Sequence, residues 1–426
     1  MTSTIVAPRP ASQSVASAAR DTFRGTPGRL RLAGIATVGA CLLFGLLAFV
    51  AATSRANALS NARSDTAQLV RVQTVRTNLV YADANLTNAF LVGGLEPPSA
   101  RAAYEQGIAT ASQTLADASG KNPRDAAVLA HVNDVITRYT GLVESARANN
   151  RLGYPLGAAY LRQATNLLRT DALPPLADLG AAQQQRVDHD FASSAHAMTW
   201  LVVGLVAALV ILLVVQVWLS ARTRRTFNRP LLIATAAVLV VGVALAGVMA
   251  WAQGKAKDTR SGAYFATVEL ATARIDAFDA KSAESLTLIA RGQGQAYEAR
   301  FVSLANNVTV LLADSANRGG ADEAAAKKAF DEYQTTHRLI REEDNSGSWD
   351  QAVTLVTNDA SDSNAAFKTF DETSRNVLEQ RSAQLSHDLG TARAPLIPLA
   401  WIALITGIGA AVAAGLGITS RLREYR

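Results

Sequence analysis

The chain has 426 residues, a net charge of +6 and 49% hydrophobic residues, and only 18% of its residues are charged, against about 25% in ordinary soluble proteins. Its single cysteine, Cys41, excludes a disulfide scaffold, a cysteine-ligated zinc site and an iron–sulfur centre. The apolar content excludes disorder over most of the chain.

Four uncharged, apolar segments divide the chain. They are residues 32–54, 197–221, 230–254 and 394–420. Each exceeds the roughly 20 residues that a helix needs to cross a bilayer, so we predict four transmembrane helices. The first segment is also longer than the apolar core of a signal peptide, which has about 7–15 residues.

The distribution of arginine predicts the orientation of these helices. Residues 1–31, 222–229 and 421–426 together hold twelve basic and two acidic residues, whereas the remainder holds 29 basic and 33 acidic residues. Because positive flanks face the cytoplasm, we predict a plasma-membrane protein with both termini and the loop 222–229 inside. Residues 55–196 and 255–393 are then outside. The basic excess indicates anionic lipid at the inner face and no nucleic acid.

Both external segments have the apolar spacing of helices, as at Leu69, Val72, Val75 and Leu79 in the first segment. Three groups of Gly, Pro or Asn residues interrupt each segment in the same order. They lie near residues 93–98, 119–123 and 149–155 in the first segment and near 292–294, 319–320 and 345–347 in the second. Three interruptions predict four helices in each segment.

The two segments also resemble each other in sequence. Tyr104-Glu105 corresponds to Tyr297-Glu298, and Leu115-Ala116-Asp117 corresponds to Leu312-Ala313-Asp314. We therefore predict an all-α chain with four transmembrane helices and two extracytoplasmic up-down four-helix bundles in tandem. The first and last helices of each bundle should continue from the spans, and we expect the two bundles to pair with each other.

Three groups of residues are candidate sites. Glu96, Tyr154, Gln293 and Trp349 lie in the turns predicted to be far from the membrane. They are candidates for docking a partner protein, since tryptophan is frequent at binding hot spots. The alternative for Trp349 is that it caps the bundle core.

The second group lies on the first helix of each segment and has charged or polar side chains that could hold the carboxylate of a small ligand. Its members are Arg71, Arg76, Thr77, Arg274 and Lys281. The alternative is an ordinary solvated helix face. The third group is the cytoplasmic cluster Arg222, Arg224, Arg225 and Arg229, which is a candidate contact for a cytosolic partner or for anionic lipid.

No catalytic motif occurs, and the longest cytoplasmic segment is too short for a catalytic domain. Carboxylates cluster at Asp322-Glu323, Asp331-Glu332, Asp371-Glu372 and Glu342-Glu343-Asp344. We expect them to lie on solvated helix faces, because the Glu-x-x-His pairs of a di-metal bundle are missing. We therefore expect no enzyme activity, metal or cofactor. The absence of charge in the spans disfavours a transporter.

Each external segment resembles the four-helix-bundle sensor domains of bacterial chemoreceptors and histidine kinases. The resemblance is carried by residues 270–292, with Ile275-Asp-Ala-Phe-Asp-Ala followed by Glu284-Ser-Leu-Thr-Leu-Ile-Ala-Arg-Gly292. The doubled bundle with four spans and no output domain is similar to the actinobacterial GlnX-type membrane proteins.

That resemblance implies a signal relay. An external solute-binding lipoprotein would report amino-acid availability, and a cytosolic serine/threonine kinase or another soluble effector would receive the signal. Two alternatives are a direct sensor that binds a small molecule within the bundles and a scaffold protein of the cell envelope.

Overall fold

The structure is a computed structural model that describes residues 26–92, 96–153, 155–193, 195–223, 228–319, 321–357 and 362–423. Within these ranges the chain forms helices and turns and no strand, which confirms the all-α prediction. Four helices are long and apolar enough to cross a membrane, namely Gly28–Val92, Ala197–Ala221, Arg229–Ile289 and Ser363–Ser420. Length and composition therefore indicate a multi-pass membrane protein.

The first half of the chain begins with one very long helix. No Gly or Pro occurs between residues 46 and 92, so nothing in the sequence interrupts it. The helices of this half are α1 (Thr26–Val92), α2 (Pro98–Lys121), α3 (Ala126–Arg151), α4 (Leu156–Leu167), α5 (Leu173–Ser193) and α6 (Ala195–Thr223).

A wide helical turn at Leu168–Ala172 joins α4 to α5, so that the two form one continuous rod. Pro174 and Pro175 follow one residue later, after Leu173, and cannot donate a backbone hydrogen bond to the preceding turn. The wide turn accommodates their rings without ending the helix. The predicted fourth helix of the first segment is therefore present, with this local irregularity.

The second half repeats the order of elements. A wide turn at Arg260–Tyr264 lies between its first two helices. The helices are α7 (Arg229–Thr259), α8 (Phe265–Ile289), α9 (Gln295–Gly319), α10 (Ala321–Asn345), α11 (Trp349–Thr357), α12 (Asp362–Arg393) and α13 (Leu396–Arg423).

The chain divides into two compact units, of which one comprises Leu59–Ala192 and Gly254–Thr391. We call this the polar unit, and the remaining described residues the apolar unit. In the apolar unit, α1 and α13 approach closely at Gly45 and Gly407. A Cβ atom added to Gly407 would lie only 2.7 Å from the Cα of Gly45. The side chain of Gln216 donates to the Leu231 carbonyl at 3.1 Å, which joins α6 to α7.

The polar unit contains a separate apolar core for each segment. The first core is built from α1 to α5 around Leu79, Leu129, Tyr139 and Leu161. The second core is aromatic and centres on Phe330, Tyr333, Phe367 and Phe370, with ring centroids about 5–6 Å apart.

The two segments pack directly against each other. Val80 and Ala84 of α1 belong to the core of the second segment, and the rings of Tyr81 and Phe278 meet edge-on at 5.3 Å. Asp83 accepts a hydrogen bond from the Ser282 hydroxyl at 2.8 Å. Arg169 pairs with Asp279 at 2.6 Å. The expected pairing of the two segments within one chain is therefore present in the polar unit.

Candidate functional site

One end of the second bundle has an open cleft of about 850 Å³. It lies between the turn after α8 and the turn before α11, and we call it the tip cleft. Two consecutive residues, Arg291 and Gly292, have φ values of 41° and 86° there, and Gly347 has a φ of 87° in the opposite turn. Glycine adopts this backbone conformation without strain, whereas an arginine in it is uncommon.

Trp349 forms one wall of the tip cleft. Its indole Nε1 donates to the Leu288 carbonyl at 3.0 Å, and the Arg291 guanidinium lies over its ring at 4.3 Å. The ring also packs against a small core that includes Leu91 of the first segment. Trp349 is thus half-buried, holds α11 against α8, and exposes its remaining surface in the cleft.

A line of charged side chains, here called the charge chain, runs from the interior of the second bundle to this cleft. Its members are Lys281, Glu284, His337, Glu298, Arg341 and Asp344. The successive N···O distances are 2.7, 2.7, 3.3, 3.2 and 2.5 Å. Arg341 and Asp344 line the cleft. The charge chain therefore links α8 to α9 and α10 by an unbroken series of polar contacts.

The inner members of the charge chain are almost completely buried. Glu284 is 1% exposed and His337 is 3% exposed, and the imidazole stacks on the Phe301 ring with centroids 3.4 Å apart. Burial raises the pKa of Glu284, but Lys281 and His337 outweigh it and bring the pKa to about 2. Burial lowers the pKa of His337, but hydrogen bonds to Glu284 and Glu298 outweigh it, and the net pKa is raised.

These shifts predict a pH-dependent stability of the second bundle. Because the pKa of His337 is raised above its ordinary 6.5, its contribution is fully present below pH 6.5 and is lost as the pH rises through the raised value. The Glu284 contribution is present above pH 4.5 and is lost as the pH falls towards 2. Hydrogen–deuterium exchange of α8 and α10 should therefore speed up, after correction for the intrinsic rate, as the solution becomes alkaline.

The substitution His337→Gln should flatten this alkaline dependence. His387→Gln is the matched control, since His387 lies on α12 with 79% of its side chain exposed. An unchanged alkaline profile in His337→Gln would show that another group titrates.

The predicted docking residues lie in different environments. Glu96 is held by the buried Arg147 at 2.8 Å, and the same guanidinium lies over the Tyr104 ring at 4.4 Å. Gln293 is exposed in the turn that borders the tip cleft. Tyr154 lies outside the described residues. Gln293 and Trp349 are therefore at the same end of the second bundle, whereas Glu96 is committed to an internal ion pair.

The predicted ligand contacts are also distributed over different environments. Thr77 and Arg274 line one groove of about 340 Å³ between the two segments, here called the inter-bundle groove. Arg274 is 4% exposed and donates to the Asp371 carboxylate at 2.6 Å. Lys281 is buried in the charge chain. Burial and these acidic partners leave neither cation on a solvated face.

The other predicted contacts lie on α1. Arg71 donates to Gln68 at 3.2 Å, and Arg76 donates to Gln73 at 3.4 Å. Burial lowers the pKa of Arg76, and Asp276 opposes this change. Arg71 lines a different groove from the inter-bundle groove that holds Arg274.

Of the four arginines in the predicted cytoplasmic cluster, only two lie within the described residues. Arg222 lies in the last turn of α6, and Arg229 is exposed at the start of α7. Arg224 and Arg225 lie outside the described residues.

Two of the four carboxylate clusters, Asp322-Glu323 and Asp371-Glu372, have one member that is buried and one that lies on a solvated face. Glu323 is fully buried and pairs with Arg381 at 2.6 Å, and Asp371 is 9% exposed and pairs with Arg274. In each of these two clusters, one carboxylate points inward and its sequence neighbour points outward, because successive residues on a helix point about 100° apart. Among the described residues, no group of three His, Cys, Asp or Glu side chains is placed to hold a metal ion.

Sequence reasoning did not find Arg291 and His337 as site residues. The pair Arg291-Gly292 occurs at a predicted helix end, which is a signal for a left-handed turn, but nothing local marks the contact with Trp349. His337 has Glu284 and Glu298 as partners, 53 and 39 residues away along the chain. Such long-range contacts are invisible to helical periodicity.

Comparison with known proteins connects the first segment to a sensor family. Residues 58–192, about a third of the chain, match the family model described as the actinobacterial sensor domain. The match covers most of the first of the two predicted external segments and supports a sensing or signalling role for the chain. Searches of curated proteins and of solved structures found no match.

Proposed function

We propose that the chain is a non-enzymatic transmembrane signal relay. A solute-binding lipoprotein outside the cell docks at the tip cleft and reports amino-acid availability, and a cytosolic serine/threonine kinase or similar effector receives the signal. The observation that carries the proposal is the charge chain, because it joins the tip cleft to α8. This helix belongs to the continuous segment Arg229–Ile289, which is one of the candidate spans.

The corresponding end of the first bundle has a surface suited to the same partner. Val92, Leu152 and Leu156 are 47%, 66% and 51% exposed at the ends of α1, α3 and α4. Consecutive helices of an up-down bundle place these ends together. Exposed apolar side chains beside a polar cleft with a tryptophan are typical of a protein interface.

The output of the relay is assigned to the arginines Arg222, Arg224, Arg225 and Arg229. With both termini in the cytoplasm, these residues connect the two central spans on the inner side of the membrane. A change in docking alters the packing of buried polar groups along α8. Packed helices respond to such a change by a discrete shift or rotation, which would change how the arginines are presented.

The test is affinity capture of the full-length protein from its own detergent-solubilised membranes, followed by mass spectrometry. The wild-type protein should recover a solute-binding protein and a cytosolic kinase. Trp349→Ala should weaken recovery of the solute-binding protein by about 30-fold, which corresponds to about 2 kcal/mol for a tryptophan hot spot. Recovery of the kinase should not change.

Two further variants separate docking from folding. Arg291→Asn removes the exposed guanidinium but suits the left-handed backbone, so it should weaken docking without loss of fold. Leu339→Ala changes an apolar residue of α10 that is 51% exposed and should leave docking intact. Equal recovery of the solute-binding protein by all variants would refute docking at the tip cleft.

A direct small-molecule sensor is the second candidate, and the inter-bundle groove favours it. Thr77, Asn78 and Tyr81 of α1 face Arg375 and Glu379 of α12 across this groove. Both charged and hydroxyl groups are thus available to a small polar ligand. If no solute-binding protein is captured and the purified full-length protein binds an amino acid by itself, this candidate replaces the relay.

A further inference from the structure

A basic groove lies on the first segment, apart from the tip cleft and the inter-bundle groove. Its volume is about 1060 Å³. The groove is lined by residues 60–71 in the middle of α1, the turn between α2 and α3, the end of α5, and Ser386 of α12. Its charged or titratable side chains are Arg63, Arg71, Lys121, Arg124, Arg186 and His189, with the carboxylates of Asp65 and Asp190. Five permanent positive charges therefore face these two carboxylates, and a third carboxylate, that of the buried Asp125, pairs with Arg186 beneath them.

The floor of the groove is held by a buried carboxylate. Asp125 is 2% exposed and accepts hydrogen bonds from Gln68 at 3.2 Å, Gln183 at 2.5 Å and Arg186 at 3.2 Å. These donors come from α1 and α5, while Asp125 lies just before α3. The groove is therefore fixed by contacts among three elements, so binding an anion there requires little ordering of the protein.

The cations on the rim retain capacity for a ligand. Arg63 donates to the Ser386 hydroxyl at 2.9 Å, and Arg71 donates to the Gln68 amide. In the part of the chain that the structure describes, Arg63, Arg71 and Arg124 make no ion pair within 4.0 Å. Guanidinium groups without an acidic partner are suited to phosphate oxygens, which they bind in a bidentate manner.

We propose that the basic groove binds a phosphate-bearing anion and that the source of the phosphate is the headgroup of an anionic phospholipid. The position in the sequence favours the lipid. Residues 60–71 follow the first apolar segment along the same helix α1, and residues 182–190 directly precede the second apolar segment. The inference does not depend on the relay or on docking at the tip cleft.

The test measures lipid binding to the full-length protein in detergent by native mass spectrometry. Phosphatidylglycerol, phosphatidylcholine and inorganic phosphate are titrated separately. We expect phosphatidylglycerol to bind at least tenfold more tightly than phosphatidylcholine. Its binding should weaken when salt is added. The variant Arg63→Gln/Arg71→Gln/Arg124→Gln should lose about 100-fold in affinity, at about 1 kcal/mol for each basic residue.

The matched control is Arg138→Gln/Arg151→Gln/Arg162→Gln. These three arginines are exposed on the same segment and do not line the groove, so the control loses the same charge and should retain the affinity. If both triple variants lose the same affinity for phosphatidylglycerol, the net charge of the protein explains the binding, and the proposal is overturned. Tight binding of inorganic phosphate without a preference for phosphatidylglycerol would overturn the lipid assignment. No binding of either anion would overturn the site.

Discussion

Replacing Glu284 with glutamine should destabilise the second bundle by about 3–5 kcal/mol, the usual cost of removing one partner from a buried ionic group. The carboxylate accepts from Lys281 and contacts His337, each at 2.7 Å. Lys281 is 5% exposed and His337 is 3% exposed. Without the Glu284 carboxylate, the buried cations Lys281 and His337 would lose the negative charge that they both contact.

The measurement is hydrogen–deuterium exchange of the full-length protein near pH 6, where both His337 and Glu284 contribute. Peptides from α8 and α10 should exchange much faster in Glu284→Gln. The matched control is Glu332→Gln, since Glu332 forms an exposed pair with Lys328 at 3.7 Å. Such a surface pair contributes at most about 1 kcal/mol. Similar exchange in the two variants would show that the charge chain does not stabilise the bundle.

The fold could be predicted from the sequence because its signals are local. Uncharged segments, helical spacing and Gly or Pro interruptions all occur within a few residues of the elements they define. The interruption near residues 119–123 predicts a break in the helix but does not define the last helical residue. Helix α2 runs to Lys121, since the turn that follows is organised by Asn122, whose side chain accepts from the Arg124 amide at 3.2 Å.

The site was only partly predictable because its contacts join distant parts of the chain. Trp349 was identified from its residue type and its place in a turn, but its partner Leu288 is 61 residues away. The inward orientation of Glu323 follows from a pairing with Arg381, 58 residues further along. Residue type indicates which side chains are able to bind a ligand or a partner. The tertiary fold determines which of them already form hydrogen bonds or ion pairs within the chain.

The two bundles are joined by polar contacts as well as by apolar packing, and Asp83 is at the centre of these contacts. It is 2% exposed. Tyr139 and Thr165 of the first segment donate to its Oδ1 at 3.3 and 2.7 Å, and Ser282 of the second segment donates to its Oδ2. Burial raises its pKa, while Arg169 opposes the change. One carboxylate therefore ties α1, α3, α4 and α8 together.

Replacing Asp83 with alanine should weaken this junction by about 3 kcal/mol, since it leaves three buried hydroxyl groups without their acceptor at about 1 kcal/mol or more each. Asp83→Asn keeps an acceptor oxygen and should cost less. Hydrogen–deuterium exchange should increase in α4 and α8 together, because the carboxylate contacts both segments. The exposed Asp178 of α5 supplies the control variant Asp178→Ala. If exchange in Asp83→Ala rises in the first segment alone, the two bundles are held together by apolar packing, and Asp83 stabilises only its own bundle.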